Sequence, residues 1–218
     1  MRTVAVVPIR GAHGAKTRLS PIFAEHERAS LAWSMLTHVL DVLDACPGID
    51  TTLIVTRESD ETLRQIGPDP RHTVLFQPVE HTGLNAALDL GRDWALTHSY
   101  DAMLVLPADL PILAPADVES MVRPDAPAVI APDRHGSGTN ALFLRLDSAH
   151  PQQFAFAFGS QSYHRHHAEA DRLGIQMKTA RAPGLECDLD SPEDWRDLPI
   201  AIRQRLLDCV QRAESMAR

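Results

Sequence analysis

Two short acidic segments of the sequence have the residue types of a metal site. Asp109 lies in the segment LVLPADLP, between two prolines and at the end of an apolar run. Asp188 and Asp190 stand one residue apart in CDLDSPEDW, so in an extended chain their side chains face the same side. Magnesium prefers one or two carboxylates together with phosphate oxygens, and the three carboxylates could hold Mg²⁺ together. The alternatives are a helix-capping turn at Asp109 and an N-cap at Asp190 or Ser191, before Pro192.

A glycine-containing loop with two cations follows the first apolar run. Its sequence, RGAHGAKTRL, contains Gly11, Gly14, Lys16 and Arg18. Glycines let backbone N–H groups approach a ligand closely, and the cations can neutralise a triphosphate and its leaving pyrophosphate. The spacing matches neither the P-loop nor the dinucleotide-binding fingerprint. The alternative is a polar surface loop without a ligand.

Two glycine-rich turns, HGSGTN and FGSQSYHRH, are candidates for anion binding. The second turn contains Gly159 and Ser162 and opens a histidine-rich helix, whose N-terminus would favour an anion. The alternative is ordinary capping by Ser160 or Ser162, which needs the same residue types. A zinc site is not expected from the histidines, because their spacing does not put three of them on one helix face.

The segment QPVEHTGLNAAL brings polar groups to the end of the third predicted strand. Gln77, Gly83 and Asn85 offer donors and acceptors that could read the edge of a nucleotide base. The alternative is a simple loop followed by a helix that begins near Thr82.

Strand-like and helix-like segments alternate over the first 130 residues. Short apolar runs predict strands at 3–9, 51–56, 73–76, 102–106, 128–131, 140–146 and 175–179. Helical spacing predicts helices at about 24–45, 60–66, 82–98, 116–121, 162–173 and 200–213. This alternation predicts an α/β fold with a parallel or mostly parallel sheet and helices on both faces. Ligands of such sheets bind outside the carboxyl ends of the strands, which selects residues 8–18, 77–85 and 107–111.

The composition is typical of one soluble domain. The 218 residues carry 21 basic and 29 acidic side chains, so the net charge is −8, and 44% of the residues are hydrophobic. The acidic balance argues against broad nucleic-acid binding, and no apolar run reaches the ~18 residues of a membrane span. The three cysteines form no zinc or disulfide pattern, and the first apolar run lacks a secretory cleavage site. We expect a cytoplasmic protein without nucleic-acid or membrane partners. It would form one domain over 1–218, with a C-terminal helix at about 199–214 as an appendage.

Taken in order along the chain, these segments resemble the 2-phospho-L-lactate guanylyltransferase family of coenzyme F-420 biosynthesis, which includes enzymes acting on phosphoenolpyruvate. The matching segments span residues 4–195 and are VVPIRGAHGAKTRLSP, GLNAAL, LPADLPIL, GSGTNALFL, FGSQSYHRHHAEA and PGLECDLDSPEDW. The resemblance implies a Rossmann-like mixed, mostly parallel sheet of the nucleotide-diphospho-sugar-transferase type. It also implies transfer of GMP from GTP to a phosphorylated three-carbon acid, with release of pyrophosphate. That acid would be phosphoenolpyruvate, 2-phospho-L-lactate or 3-phosphoglycerate.

The resemblance further implies a role for particular residues. The expected Mg²⁺ ligands are Asp109, Asp188 and Asp190. The residues expected to bind GTP are Pro8, Gly11, Lys16, Arg18, Gly83 and Asn85. Those expected to bind the phosphorylated acid are Thr139, Gly159 and Ser162. Catalysis would depend on Lys16, Arg18 and Asp109.

Other functions are compatible with the same fold. Nucleotidyl transfer to molybdopterin or to a sugar phosphate is one alternative, and a non-catalytic nucleotide-binding protein is another. The presence of all three aspartates together favours an enzyme. The sequence leaves open which acid is used, how strictly guanine is selected, and whether the chain is a monomer or a homodimer.

Overall fold

The computed structural model of this protein describes residues 1–10, 14, 16–147 and 153–216. Within these residues, seven strands form one sheet: β1 (Thr3–Ile9), β2 (Thr51–Thr56), β3 (His72–Phe76), β4 (Ala102–Val105), β5 (Ala128–Pro132), β6 (Thr139–Arg145) and β7 (Met177–Thr179). The helices are α1 (Glu25–Asp44), α2 (Ser59–Ile66), α3 (Leu84–Thr97), α4 (Pro115–Val122), α5 (Ser162–Leu173), α6 (Pro183–Glu186), α7 (Pro192–Asp197) and α8 (Ile200–Met216). A short 3-10 helix spans Thr17–Leu19.

The sheet is mixed and mostly parallel, which confirms the predicted fold class. The strand order is β3-β2-β1-β4-β6-β5-β7, and β6 alone runs antiparallel to its neighbours in the described sheet. The chain moves outward from β1 to β2 and β3, then returns to place β4 on the other side of β1. The topological switch point therefore lies between β1 and β4, where the loops after the two strands diverge and leave a crevice.

The central strands are buried on both faces of the sheet. Val4, Ala5, Val6 and Val7 of β1 are fully buried, which explains why this strand is an unbroken apolar run rather than an alternating one. Helix α3 lies very close to β1 at Gly91, where a Cβ atom would stand 2.7 Å from Cγ1 of Val6. Only glycine permits this approach without a shift of helix or strand.

Hydrophobic clusters cover both faces of the sheet. One cluster joins the sheet to α1, α4 and α6, and the other joins it to α3, α5 and the segment that contains Phe154. A third cluster lies on the outer side of α1, where Leu206 and Val210 of α8 pack with Leu31 and Met35. The C-terminal helix is thus packed against α1 through buried apolar side chains.

The predicted elements differ from the observed ones mainly at their ends. Helix α3 begins at Leu84 rather than near Thr82, because Gly83 has a φ of +97° that ends the preceding loop. Helix α2 begins at Ser59, one residue before the predicted start, and Glu58 is its N-cap. The single turn of α6 was not predicted. No helix in the described ranges is both long and apolar enough to cross a membrane.

Candidate active site

Residues from three distant parts of the chain meet at the switch point. Lys16 follows β1, Asp109 follows β4, and Asp190 precedes α7. The Nζ atom of Lys16 lies 2.5 Å from Oδ2 of Asp109 and 2.7 Å from Oδ1 of Asp190. Nη1 of Arg18 lies 4.0 Å from Oδ2 of Asp190. We refer to Lys16, Asp109, Asp188 and Asp190 below as the acidic corner.

Lys16 is held in a backbone conformation that is unusual for a residue with a side chain. Its φ and ψ are 54° and 41°, in the left-handed region, directly before the 3-10 helix. Leu19 of that helix is fully buried and anchors the segment. Such strain costs of order 1–3 kcal/mol and is concentrated at functional sites, where surrounding contacts maintain it. Here the two carboxylates supply those contacts.

The charge of Lys16 is fixed by its two partners. Burial of the ammonium lowers its pKa, but the negative charges of Asp109 and Asp190 and their hydrogen bonds outweigh burial, so the pKa is raised. The side chain is only 10% exposed. Lys16 therefore stays protonated at neutral pH and places a full positive charge at the end of β1.

The backbone around Asp190 leaves its carboxylate available to Lys16. Ser191 is the N-cap of α7, and its hydroxyl accepts a hydrogen bond from the backbone N–H of Asp194. The carboxylate of Asp194 in turn accepts from the backbone N–H groups of Asp190 and Ser191. The N-cap alternative is therefore confirmed for Ser191 and wrong for Asp190.

Asp188 is brought to the acidic corner by two contacts. The backbone N–H of Leu189 donates to the carbonyl oxygen of Asp109 at 3.0 Å. The Nδ2 group of Asn140 donates to Oδ1 of Asp188 at 3.2 Å. The pairing of β5 with β6 joins Ala131 to Ala141 and Pro132 to Thr139, so it skips Asn140. Such a bulge re-aims the side chains beside it.

The charged form of Asp188 is destabilised in the acidic corner. The pKa of Asp188 is raised, first by burial and then by the negative charge of Asp109, with a smaller effect of Asp190. Oδ1 of Asp109 is buried and has no hydrogen-bond partner among the described residues. A carboxylate oxygen of this kind calls for a cation or a donor. Carboxylates are also the donor set that Mg²⁺ prefers, so the residues present fit such an ion.

The three aspartates are nevertheless not arranged as a closed metal cage. In the described part of the chain, the one trio whose ligand atoms all lie within 4.8 Å of one another is Asp44, Asp69 and His72. That trio lies near the start of β3, away from the carboxyl ends of β1 and β4 where the acidic corner lies. Arg71 already pairs with both of its carboxylates. At the switch point, Lys16 stands between Asp109 and Asp190. Metal binding by Asp109, Asp188 and Asp190 stays a prediction.

A cavity of about 850 Å³ opens beside the acidic corner. Pro8, Lys16, Arg18 and Gly83, which are expected nucleotide-binding residues, line this cavity. Asp109 and Asp190 line it as well, so residues predicted to bind phosphate and residues predicted to bind metal face the same cavity. Gly11, the remaining glycine of the predicted set in this loop, lies outside the described residues.

The loop after β3 is fastened by Gln77, which also lines the cavity. The Nε2 group of Gln77 donates to the carbonyl oxygens of His81 and Gly83, at 2.5 and 2.9 Å. Asn85 makes contacts of a different kind. Its Oδ1 accepts from the backbone N–H of Phe158 at 2.9 Å, and its Nδ2 donates to the Phe158 carbonyl at 3.3 Å. Asn85 thus ties α3 to the segment before α5, and its predicted contact with the nucleotide stays a prediction.

Three residues to which the sequence analysis gave no role also line the cavity. Arg10 and Arg57 directly follow β1 and β2, and Trp33 projects from α1. Neither arginine forms an ion pair or hydrogen bond with a residue in the described ranges. The rule that ligands bind at the carboxyl ends of parallel strands selects the range 8–18, which contains Arg10. Applied to β2, the same rule would also have found Arg57, the first residue after that strand. Trp33 gives no such signal, since its helical spacing is also that of a core residue.

The residues expected to bind the acid lie where β6 and α5 begin. The hydroxyl of Thr139 lies 3.1 Å from Nδ1 of His166, and the backbone N–H of Ser162 donates to the carbonyl of Gly159 at 3.2 Å. Ser162 is the buried first residue of α5, and Gln161 precedes it with a φ of 55° and no side-chain cap. Capping by Ser160 or Ser162 is therefore wrong. Of the described residues that line the 850 Å³ cavity, none belongs to this group.

Comparison with known proteins identifies the family. The family model described as guanylyl transferase CofC like matches residues 3–203. The chain belongs to that family. A phosphoenolpyruvate guanylyltransferase from Sphaerobacter thermophilus is 37% identical over 200 residues, which cover 91% of this chain and 93% of the relative.

Other relatives are named for different phosphorylated acids. A 3-phospho-D-glycerate guanylyltransferase from Phenylobacterium zucineum is 33% identical, covering 87% of this chain and 86% of the relative. A 2-phospho-L-lactate guanylyltransferase from Methanothermobacter thermautotrophicus is 31% identical, covering 91% of this chain and 84% of the relative. Membership of this family makes the chain a nucleotidyltransferase by enzyme class.

Solved structures agree on the fold. A protein from Desulfovibrio desulfuricans G20, classed with the nucleotide-diphospho-sugar transferases, superposes with a TM-score of 0.76 at 14% identity, covering 97% of this chain and 98% of that one. A nucleotidyl transferase from Methanothermobacter thermautotrophicus gives a TM-score of 0.66 at 17% identity, covering 95% and 98%. At these identities the likeness concerns the fold alone.

Proposed function

We propose that this protein transfers GMP from GTP to the phosphate of a phosphorylated three-carbon acid and releases pyrophosphate, as a step of coenzyme F-420 biosynthesis. The observation that carries the proposal is the acidic corner at the switch point, where Lys16 joins Asp109 to Asp190 beside a cavity of about 850 Å³. The names of the relatives support both guanylyl transfer and an acid of this class.

The reaction needs positioning and charge rather than a strong base. A phosphate monoester is largely dianionic at pH 7, because its second pKa is about 6. One of its oxygens attacks the α-phosphorus of GTP, a new P–O bond forms, and the bond from the α-phosphorus to the bridging oxygen of pyrophosphate breaks. The work of the protein is to align the two anions and to stabilise the charge that moves onto pyrophosphate. Protonated Lys16 and Arg18 are the cations proposed for this role, with Arg10 and Arg57 as further phosphate contacts.

Asp109, Asp188 and Asp190 are proposed to hold a divalent ion, most simply Mg²⁺. The partnerless buried oxygen of Asp109 supports this assignment, because a buried carboxylate oxygen needs a cation or a donor. The pKa of Asp188 is raised by burial and by the charge of Asp109, so a cation beside these carboxylates would be favourable. Magnesium held there would supply positive charge to the phosphate oxygens of the bound substrates.

Thr139, Gly159 and Ser162 are proposed to bind the phosphorylated acid. The bulge of β6 supports this location, because Thr139 adjoins Asn140, whose amide reaches Asp188 of the acidic corner. Phosphoenolpyruvate is the first acid to test, since the relative at 37% identity carries that name. 2-Phospho-L-lactate and 3-phosphoglycerate follow from the relatives at 31% and 33% identity.

The deciding experiment is product analysis by mass spectrometry. The protein is incubated with Mg²⁺, an equimolar mixture of the three acids, and GTP, ATP, CTP or UTP in separate reactions. We expect a guanosine diphosphate-linked acid and stoichiometric pyrophosphate with GTP. No pyrophosphate with any nucleotide would contradict nucleotidyl transfer, and a product formed from another nucleotide would contradict guanylyl specificity.

A matched pair of variants ties the activity to the acidic corner. Asp109→Asn removes one carboxylate from the corner and is expected to lower turnover at least 100-fold, the usual loss for a preorganised charged group. Asp125→Asn is the same change at a fully exposed position before β5 and should leave turnover unchanged. Equal activity of the two variants would contradict a catalytic role of Asp109.

A further inference from the structure

The imidazole of His166 is buried beside Thr139, one of the proposed acid-binding residues. His166 lies on α5 and is completely inaccessible to solvent. The ring of Phe154 stacks on the imidazole at 6.0 Å between centroids, and the ring of Phe158 meets it edge-on at 4.8 Å. The burial holds the imidazole neutral, because it lowers the pKa of His166 to about 4.

The two hydrogen-bond partners of His166 assign its tautomer. The backbone N–H of Ala157 lies 2.9 Å from Nε2 and can only donate, so Nε2 is the acceptor nitrogen. In a neutral imidazole the other nitrogen then carries the proton. Nδ1–H therefore donates to Oγ1 of Thr139, at 3.1 Å.

This tautomer determines what the hydroxyl of Thr139 can do. A threonine hydroxyl has one hydrogen to donate, and here its oxygen already accepts from His166. No acceptor for that hydrogen is found among the described residues. Thr139 is left with a spare donor, at the start of β6 and one residue from Asn140, whose amide binds Asp188.

We propose that His166 is a positioning residue that makes Thr139 an obligatory hydrogen-bond donor to an oxygen of the phosphorylated acid. The chain Ala157 N–H to His166 to Thr139 O–H to substrate runs in one direction, so the site accepts only an anionic or acceptor oxygen at its end. This inference rests on the proposed function for the identity of the acid. The direction of the donor chain is a property of the protein itself.

Two substitutions of His166 test the roles of its two ring nitrogens one at a time. His166→Asn places an amide N–H near the position of Nδ1 and can still donate to Thr139. His166→Gln places its amide near Nε2, where it can serve Ala157 but not Thr139. Thr139→Val removes the hydroxyl at nearly constant volume, and Thr139→Ser keeps it.

The kinetic test compares the KM for the acid with the KM for GTP. We expect His166→Gln and Thr139→Val to raise the acid KM roughly 10- to 100-fold, the worth of a hydrogen bond to a charged group, with the GTP KM changed less than twofold. The acid KM of His166→Asn and of Thr139→Ser should stay close to that of the wild type. The acid KM of the double variant H166Q/T139V should be no higher than that of T139V alone. A purely structural role of His166 would instead make H166N and H166Q alike and move both KM values together, which would overturn the inference.

A measurement without substrate keeps this inference separate from the proposed function. Nitrogen-15 NMR of the imidazole in the wild-type protein reports which nitrogen carries the proton. The expected spectrum has a protonated Nδ1 and an unprotonated Nε2, and a protonated Nε2 would overturn the inference even if the enzyme is active. Absence of turnover in the wild type, together with the expected tautomer, would contradict the proposed function and leave the donor chain supported.

Discussion

Replacing Lys16 with alanine removes the cation that links Asp109 to Asp190. The ammonium lies 2.5 and 2.7 Å from the two carboxylates, and the lysine side chain is 10% exposed. Removing one partner of a fully buried ion pair costs about 3–5 kcal/mol, because the other charge stays buried. Asp109 and Asp190 are 26% and 45% exposed, so water screens their charges. We expect the free energy of unfolding to fall by a smaller amount, about 1–3 kcal/mol.

The chain contains its own control for this substitution. Lys178 is the only other lysine of the sequence, and its ammonium donates to the backbone carbonyl of Asp125 at the surface. Thermal unfolding of Lys16→Ala should show a Tm lowered by roughly 2–10 °C for a chain of this length. Lys178→Ala should stay within about 0.5 kcal/mol of the wild type.

The response to magnesium gives the same prediction a second readout. In Lys16→Ala the three carboxylates of the acidic corner keep their charge but lose the internal cation. Added Mg²⁺ should therefore raise the Tm of this variant more than that of the wild type. Equal stability of the two lysine variants, with equal Mg²⁺ responses, would refute the view that the corner is one electrostatic unit. Pyrophosphate release should fall at least 100-fold in Lys16→Ala, and wild-type turnover would refute a catalytic role of its ammonium.

Three further predictions concern other parts of the molecule. The contribution of His166 to the free energy of unfolding should fall by about 1.5 kcal/mol between pH 6.5 and pH 5, because unfolded His166 takes up a proton near pH 6.5 and the folded imidazole does so only near pH 4. Denaturant titrations over this pH range should find a flatter slope in His166→Asn. Gly91→Ala should destabilise the protein by about 1–3 kcal/mol, because its Cβ would stand 2.7 Å from Val6, and an unchanged midpoint would refute that close packing. Arg57→Ala should raise the KM for GTP up to about tenfold at low salt and less at high salt, and a salt-independent KM equal to that of the wild type would exclude a phosphate contact.

The sequence was sufficient to predict that Lys16 and Asp109 come together at the candidate site. Lys16 and Asp109 follow apolar runs in a strand–helix alternation. Residues in such positions lie at the carboxyl ends of the strands of a parallel sheet. The spacing of Asp188 and Asp190 predicts a shared direction for their side chains, and this stays a prediction. These features depend on local patterns in the sequence.

The contacts that hold the site together could not be predicted, because they depend on the register of distant segments. Asn85 pairs with the backbone of Phe158, 73 positions further along the chain. The bulge that skips Asn140 depends on how β6 pairs with β5, and one position of slip would reverse the faces of its side chains. His166 lies in a polar helix, and its burial follows from the packing of Phe154 and Phe158 around it.

Anomalous diffraction from crystals grown with Mn²⁺ and a slowly hydrolysed GTP analogue would locate the metal proposed at the switch point. Manganese replaces magnesium at oxygen-ligand sites and gives a strong anomalous signal. We expect a peak among Asp109, Asp188 and Asp190, adjoining the α-phosphate of a nucleotide bound in the cavity of about 850 Å³. Nucleotide density in the cavity with no peak at these aspartates, or with a peak only at Asp44, Asp69 and His72, would contradict this prediction.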